Sequence, residues 1–448
     1  MAAMSRFLIG ILCTAFASAG FAAKVPPQFP ITAAQARDVS TLGETVLLDR
    51  VLPSKVDAAR KIRFVRVKFF SHKWKDGPWW GTMYVALPVK IEPARHGFAV
   101  IVPAGTSKKG SEKGFNVRRD FLERTVLELG IPVATMPQQG THFGETEIHA
   151  MSDALTKKFV ETRDPAWLAA WPGAAVRSRA LTMIGKLTGQ PIHSAVHMGS
   201  SISAGQGWVW AVCDDRVKGL VATGSMGPFL KIYPLRALRE RLKFLHEAPE
   251  PVKQLFVKHR DPISFAPHVK TRVLIMAGSN DFATPPALLP EFTAAFPRPP
   301  HLVGVPNFPH GCGTRRHADS LRMWVDHTLF ARPLCAVKVE KISLANGRLT
   351  CTATVTGKPA VKRVTLAWGA SANPTFLHSK YSEQGRRNNY TKVKWQFTRM
   401  KRTGQKWTAT VRLPAGTPPH IAACVDVQEN WQTRPGYAST PVRRVISD

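Results

Sequence analysis

The stretch Ala195-Val196-His197-Met198-Gly199-Ser200-Ser201-Ile202-Ser203-Ala204-Gly205 decides the fold. An apolar strand runs into Gly-x-Ser-x-small-small and on into a helix carrying Trp208, Val209 and Val212. A strand-to-helix turn this sharp strains the serine backbone and exposes its hydroxyl, and close neighbours must be small for the chain to pass. Gly199, Ser203 and Ala204 meet that need, with Ser203 standing where a second glycine is usual. The same letters suit a plain small-residue turn, and Ser203 offers a second register for the nucleophile. The spacing to Asp214-Asp215-Arg216-Val217, about one helix and its turn beyond Ser201, favours Ser201.

Outward from this turn, buried strands alternate with helices. Phe98 to Val102 reads as a strand, Val117, Phe121, Val126 and Leu129 mark a helix face closed by Gly130, and Ile131 to Met136 is the next strand. Ser194 to Met198, Gly219 to Thr223, Arg272 to Met276 and Leu302 to Val305 follow. This succession predicts an α/β fold, with a mainly parallel sheet of α/β-hydrolase type and helices on both faces, over residues 24–333. Ahead of it, Ile62 to Phe69 and Gly81 to Leu87 read as amphipathic strands, and a slip in the alternation at Phe64 and Val65 predicts a bulge. Past Pro333 the pattern becomes strand-rich. Leu349 to Val355, Lys362 to Trp368, Trp407 to Arg412 and Ile421 to Val427 predict a small β-sandwich over 336–448.

Chain order then assigns chemistry. In a fold of this type an acid follows a late strand and a histidine follows the last. Here Arg272 to Met276 delivers Ala277-Gly278-Ser279-Asn280-Asp281, and Leu302 to Val305 delivers Pro306-Asn307-Phe308-Pro309-His310. Taken singly, Asp281 reads as a helix cap and His310 as a rim residue; taken in order, Ser201, Asp281 and His310 read as a catalytic triad. The developing oxyanion needs preorganised donors, for which the Ile202 amide and the turn holding Gly105 and Thr106 are the candidates.

The rest of the chain bounds the setting. Its 448 residues suit two or three domains, and 44% hydrophobic with 21% charged residues excludes a wholly disordered, collagenous or repeat-built chain. A net charge of +32, spread from Arg60 to Arg444, favours anionic partners, an envelope surface or an acidic substrate among them. No recognition motif accompanies it, so no specific nucleic acid is expected. Arg6, the apolar run from Phe7 to Phe16 and the small residues Ala17, Ser18, Ala19, Gly20, Ala22 and Ala23 read as a signal peptide over 1–23, and no other run approaches the roughly 18 apolar residues of a membrane span. The expected location is periplasmic or secreted. Cys213, Cys312, Cys335, Cys351 and Cys424 remain after the leader, an odd number, so at least one is free or pairs outside the chain. No spacing suggests a metal or cofactor, and His193 and His197 read as ordinary core or rim histidines.

Several segments resemble the PhoPQ-activated pathogenicity-related protein family. They are Gly199-Ser200-Ser201 with Asp214-Asp215-Arg216-Val217, Asp164-Pro165-Ala166-Trp167 with Trp171-Pro172, Ser279-Asn280-Asp281-Phe282, Val305-Pro306-Asn307, and Leu366-Ala367-Trp368 through Asn373-Pro374. The resemblance implies an α/β-hydrolase-type fold with a carboxy-terminal immunoglobulin-like domain and the same triad. Ile202-Ser203 departs from the family's Lys-Arg pair after the serine. An immunoglobulin-like sandwich would bring an early and a late strand face to face, which predicts a Cys351–Cys424 disulfide, with two buried free thiols as the alternative.

The residues thus predict an exported serine hydrolase that cleaves an ester or amide through an acyl-enzyme, on a small-molecule or polymeric acyl substrate. A catalytically silent envelope-binding protein on the same scaffold is the alternative. The insertion at about 225–268, with Phe229, Ile232, Leu235, Leu238 and Leu242 among its apolar positions, is expected to form a lid over the acyl pocket; a helix merely packed on the sheet is the other reading.

Overall fold

The computed structural model describes residues 26, 28–75, 77–103, 112–136, 148–232, 243–281, 283–284, 288–372 and 393–445. The leader expected over 1–23 lies outside them. The first sheet contains β1 (Glu44–Pro53), β2 (Lys61–Trp74), β3 (Gly77–Pro88), β4 (Phe98–Pro103), β5 (Val133–Met136), β6 (Ser194–Ser200), β7 (Val217–Thr223), β8 (Arg272–Gly278) and β9 (His301–Val305). Their order across the sheet is β1-β2-β3-β5-β4-β6-β7-β8-β9. The pairings from β1 to β5 are antiparallel, and every pairing from β5 through β9 is parallel. The carboxyl ends of β4, β6, β7, β8 and β9 therefore open on one edge, where ligands meet sheets of this kind.

Both faces of this sheet are covered, which explains the unbroken apolar runs of its central strands. Ala99 and Ile101 of β4 and Ile275 of β8 face a layer that holds the helices Ala170–Thr188 and Ile202–Cys213. Val100, Val102 and Leu274 face the opposite layer, made by the helices Glu112–Leu129 and Arg315–Phe330. The bulge expected at Phe64 and Val65 is not there: these residues pair in regular register with Ala86 and Val85. Ile62 and Phe64 join one core layer while Val65, Val67 and Phe69 join the other, so the apparent slip is the signature of a doubly buried strand. The register shifts lie instead between Phe70 and His72, and in β1 between Val46 and Leu48.

The carboxy-terminal part is a sandwich of two antiparallel sheets. One joins β10 (Ala336–Ala345), β11 (Arg348–Thr356), β14 (Lys401–Thr403) and β15 (Lys406–Arg412). The other joins β12 (Ala360–Ser371), β13 (Gln396–Arg399), β16 (His420–Trp431), β17 (Arg434–Ser439) and β18 (Arg443–Val445). Leu349 and Ala353 meet Leu366, Val425 and Val427 between them. Strand order, direction and helical layers together make an α/β-hydrolase-type domain followed by a β-sandwich.

The expected Cys351–Cys424 disulfide is corrected: both are free thiols, as are Cys213, Cys312 and Cys335. Cys351 faces the sandwich core. On β16, Ile421, Ala423, Val425 and Val427 take the core face, so Cys424 points to the outer face beside Trp395 and Ala422. Side chains alternate along a strand, and one residue of parity separates the bridge from this arrangement.

Polar side chains also anchor the helical layer. Asp214 and Arg216, both nearly fully buried, pair at 2.7 Å. The Arg216 guanidinium also donates to the Ser178 carbonyl at 2.9 Å and the Thr182 hydroxyl at 3.0 Å, tying the start of β7 to the helix Ala170–Thr188. Burial would raise the Asp214 carboxyl, and Arg216 with its hydrogen bonds holds it below the ordinary 3.8 instead. Removing one partner of such a pair strands a buried charge, at a cost of about 3–5 kcal/mol. Asp214→Ala should lose stability on that scale in equilibrium urea unfolding, whereas Asp215→Ala, at an exposed site, should be nearly neutral.

Candidate active site

β6 ends at Ser200, and Ser201 turns the chain into the following helix with φ 55° and ψ −121°. Few non-glycine residues adopt positive φ, and those that do are held by their surroundings. Here the Ser201 amide donates to the Thr223 carbonyl of β7 at 2.8 Å, and its own carbonyl accepts from the Gly205 amide at 3.0 Å. A side chain on Gly199 would put its Cβ 2.4 Å from the Ala204 Cα, which is why the turn needs small residues. Ser203 has a different environment. It is fully buried, and its hydroxyl accepts from Arg177 at 3.0 Å while the same guanidinium donates to the Gly173 carbonyl at 2.6 Å. Burial pushes the Arg177 guanidinium down to about 9. Ser203 is thus locked beneath the turn, while Ser201 stands partly accessible at the strand's end.

Asp281 follows β8 and His310 follows β9. The His310 Nδ1 lies 2.9 Å from the Asp281 carboxylate, so Nδ1–H donates to it and Nε2 is the nitrogen left to accept a proton. The carboxylate also accepts from the Ala283 amide at 2.8 Å, and it is almost fully buried. Burial opposes both charges, but their mutual attraction prevails. Asp281 is held below the ordinary 3.8 by His310 and by hydrogen bonds from Ala283 and Thr284, and His310 is raised above the ordinary 6.5 by Asp281.

The two halves meet at Gly224, directly after the Thr223 that holds Ser201. A Cβ built on Gly224 would lie 2.5 Å from the His310 Cε1 and 3.3 Å from the Asp281 carboxylate, so the imidazole rests on the bare backbone of this glycine. The end of β7 is therefore shared by the serine turn on one side and the His310–Asp281 pair on the other. Ile202 opens its helix, where the first amides have no intrahelical acceptor and are free to serve as donors. Gly105 and Thr106 lie outside the described residues; β4 ends at Pro103, on the same sheet edge as Ser201.

Other candidates fall elsewhere. His197 is buried inside the sheet between the Ile101 and Ser203 carbonyls, and burial pushes it down to about 3; His193 sits at the opposite end of β6, packed edge-on to Phe98. Among the described residues no group of three His, Cys, Asp or Glu is arranged to hold a metal ion. In the 225–268 insertion, Phe229, Ile232, Leu245 and Phe256 join the core layer of the helix Ile202–Cys213. The Arg260 guanidinium crowds Gly205, one turn beyond Ser201. Leu235, Leu238 and Leu242 lie outside the described residues. Thr223, Gly224 and Arg177 stand in no motif of the sequence. A glycine directly after a buried strand is a signal of close approach and could have found Gly224.

Residues 52–225 match the model of the PhoPQ-activated pathogenicity-related protein family, a span that holds Ser201 and Gly224 and stops short of Asp281 and His310. No curated protein matches the chain. Among solved structures the chain is similar to an acetyl xylan esterase from Paenibacillus sp. R4, at 16% identity and a TM-score of 0.47 over 68% of this chain and 96% of that one. It is similar to acetyl xylan esterase 1 from Thermoanaerobacterium sp. JW/SL YS485, at 12% identity and a TM-score of 0.45 over 68% and 95%. It is also similar to the Pyrococcus horikoshii acylaminoacyl peptidase, at 12% identity and a TM-score of 0.42 over 60% and 48%.

Gly224 permits a direct test of the shared support. In Gly224→Ala the new methyl must displace the imidazole, and φ at this position is +60° besides. A displacement of about 1 Å can cost about 100-fold in rate. Labelling by a serine-reactive fluorophosphonate should fall on that scale, while circular dichroism shows a folded chain.

Proposed function

We propose that this protein is an exported serine hydrolase that cleaves an ester or amide bond, with Ser201 as nucleophile, His310 as general base and Asp281 as its orienting acid. One observation carries the reading: a serine held at positive φ at the end of a central parallel strand, with a histidine–carboxylate pair seated on the glycine that follows the adjoining strand. His310 Nε2 takes the Ser201 hydroxyl proton as the oxygen bonds to the acyl carbon. The negative charge that gathers on the acyl oxygen is met by the Ile202 amide, with a second donor from the 104–106 turn. Collapse expels an alcohol or amine, which leaves with the proton from His310. Water, deprotonated by the same imidazole, then frees the acid and restores Ser201.

The buried Asp281 supports this division of labour, since the Nδ1–H bond fixes the tautomer and stabilises the imidazolium once it forms. Export rests on the leader pattern at 1–23, and a periplasmic or secreted setting follows from it. The charge of +32 suits an acidic polymer or an anionic envelope surface as the place where substrate is met. No helix among the described residues is long and apolar enough to cross a membrane. We also propose that the 225–268 insertion borders the acyl pocket, supported by Arg260 lying against the nucleophile helix.

Fluorophosphonate labelling of the exported protein tests the reading. Ser201→Ala should abolish labelling, His310→Ala should nearly do so, and Ser203→Ala should leave an active enzyme, because Ser203 is occupied by Arg177. Labelling that survives Ser201→Ala, or a wild-type chain that never labels, would overturn the assignment, the second favouring a silent binding protein. The pH profile has a defined sign. The neutral imidazole is the working base and Asp281 raises its proton affinity, so the labelling rate should climb with pH through a midpoint above 6.5.

A further inference from the structure

The loops that carry Asp281 and His310 share a support outside their own domain. Asn307, three residues before His310, adopts φ 48° and turns its side-chain amide onto Trp395, a residue of the sandwich segment leading into β13. Its Oδ1 accepts from the Trp395 amide at 2.8 Å and its Nδ2 donates to the Trp395 carbonyl at 3.1 Å. Asn280, the residue before Asp281, donates its Nδ2 to the Val393 carbonyl of the same segment at 3.0 Å. The two loops are also joined to each other. The Ser279 hydroxyl accepts from the Asn307 amide at 2.8 Å and donates to the Asn280 Oδ1 at 2.8 Å, and the Asn280 amide donates to the Phe308 carbonyl at 3.1 Å.

These contacts border an apolar crevice between the domains, lined by Ile275, Ala277, Leu302, Val305 and Trp395 among others. Asn280 is buried, so its amide would find little compensation on losing its partner, whereas the exposed Asn307 acts through the fixed directions of its paired bonds to Trp395. A pair of side-chain amides satisfied by two carbonyls and an N–H of one short segment is a more exact constraint than apolar packing alone, because its directions are fixed.

We propose that Asn280 and Asn307 are positioning residues through which the sandwich segment 393–395 holds the acid and base loops in register, making the sandwich a working part of the hydrolase site. The proposal rests on the reading of Ser201, Asp281 and His310 given above. It assigns the second domain a task within that chemistry, besides any role it has in binding a surface.

The test compares the full-length chain with Asn307→Gly, which keeps the backbone at positive φ and removes only the amide, and with Asn280→Ala. Two readouts are taken: the fluorophosphonate labelling rate against pH, and the titration of the His310 Cε1–H resonance in protein carrying 13C-histidine, assigned with His310→Gln. Among the described residues, Asp281 is the charged group bonded to this imidazole. Nearby His317 is pushed down to about 4 by burial and Arg316, and stays neutral through the titration.

With the loops released, labelling should fall by about 10- to 100-fold, and the His310 midpoint should drop toward 6.5 as the Asp281 contact loosens. Asn307→Asp, which keeps the acceptor for the Trp395 amide, should recover part of the loss. Unchanged labelling and an unchanged His310 midpoint in both variants, even with lower thermal stability, would reduce the amides to domain adhesive and overturn the proposal. If the wild-type chain never labels, the hydrolase reading fails on its own, and the His310 midpoint still decides whether these amides position the pair.

Discussion

Ser201 is held in a backbone conformation that costs about 1–3 kcal/mol for a side chain of its kind, and the architecture around it consists largely of what keeps it there. The Thr223 carbonyl takes its amide, Gly199 and Ala204 let the turn close, and Arg177 clamps Ser203 from beneath. Each of these partners depends in turn on a sheet buried on both faces, since only a rigid β6–β7 pair can present the Thr223 carbonyl at a fixed place. The strain at the turn is sustained by the packing of two helical layers.

That packing brings charge inside. Arg177 and Arg216 stand in or against the helix Ala170–Thr188 with little or no exposure, each handed to carbonyls, hydroxyls or Asp214 rather than to water. Buried cations of this kind are costly, Arg177 the more so because its Nε has no partner, and their value lies in direction: a guanidinium with fixed acceptors sets the distance between a helix and a strand. The Ser201 turn and the start of β7 are both positioned this way.

The open edge of the sheet is managed by the sandwich. β9 would otherwise present unpaired backbone groups to solvent. Instead the Gly304 amide donates to the Ser439 hydroxyl at 2.9 Å, the His301 ring donates to the Tyr437 carbonyl at 2.8 Å, and the buried Arg332–Glu429 pair fastens the linker. Because β9 leads directly into the loop of His310, the surface that protects the edge is continuous with the one that Asn307 meets at Trp395.

Much of this was written in one dimension. The apolar runs separated by helices, the small residues around Ser201, and the order of serine, aspartate and histidine along the chain are local or ordinal features, and the sequence by itself determined the α/β layering, the place of the serine turn and the strands that deliver Asp281 and His310. What depends on which face a residue takes, or on which distant backbone it meets, was decided only by the tertiary structure. Phe64 and Val65 looked like a bulge because a strand buried on both faces has no polar side to mark its alternation. Cys424 was legible as a strand residue, yet its face followed from the pairing of β16, and a single step in a period of two turned it away from Cys351. β1 is mostly exposed although it carries Val46, Leu47, Leu48, Val51 and Leu52, so its apolar residues mark no buried face. The seating of His310 on Gly224, the capture of Ser203 by Arg177 and the hold of Trp395 on Asn307 join residues 86, 26 and 88 positions apart. No spacing rule encodes such contacts, because they arise only when separate strands and domains come together in three dimensions.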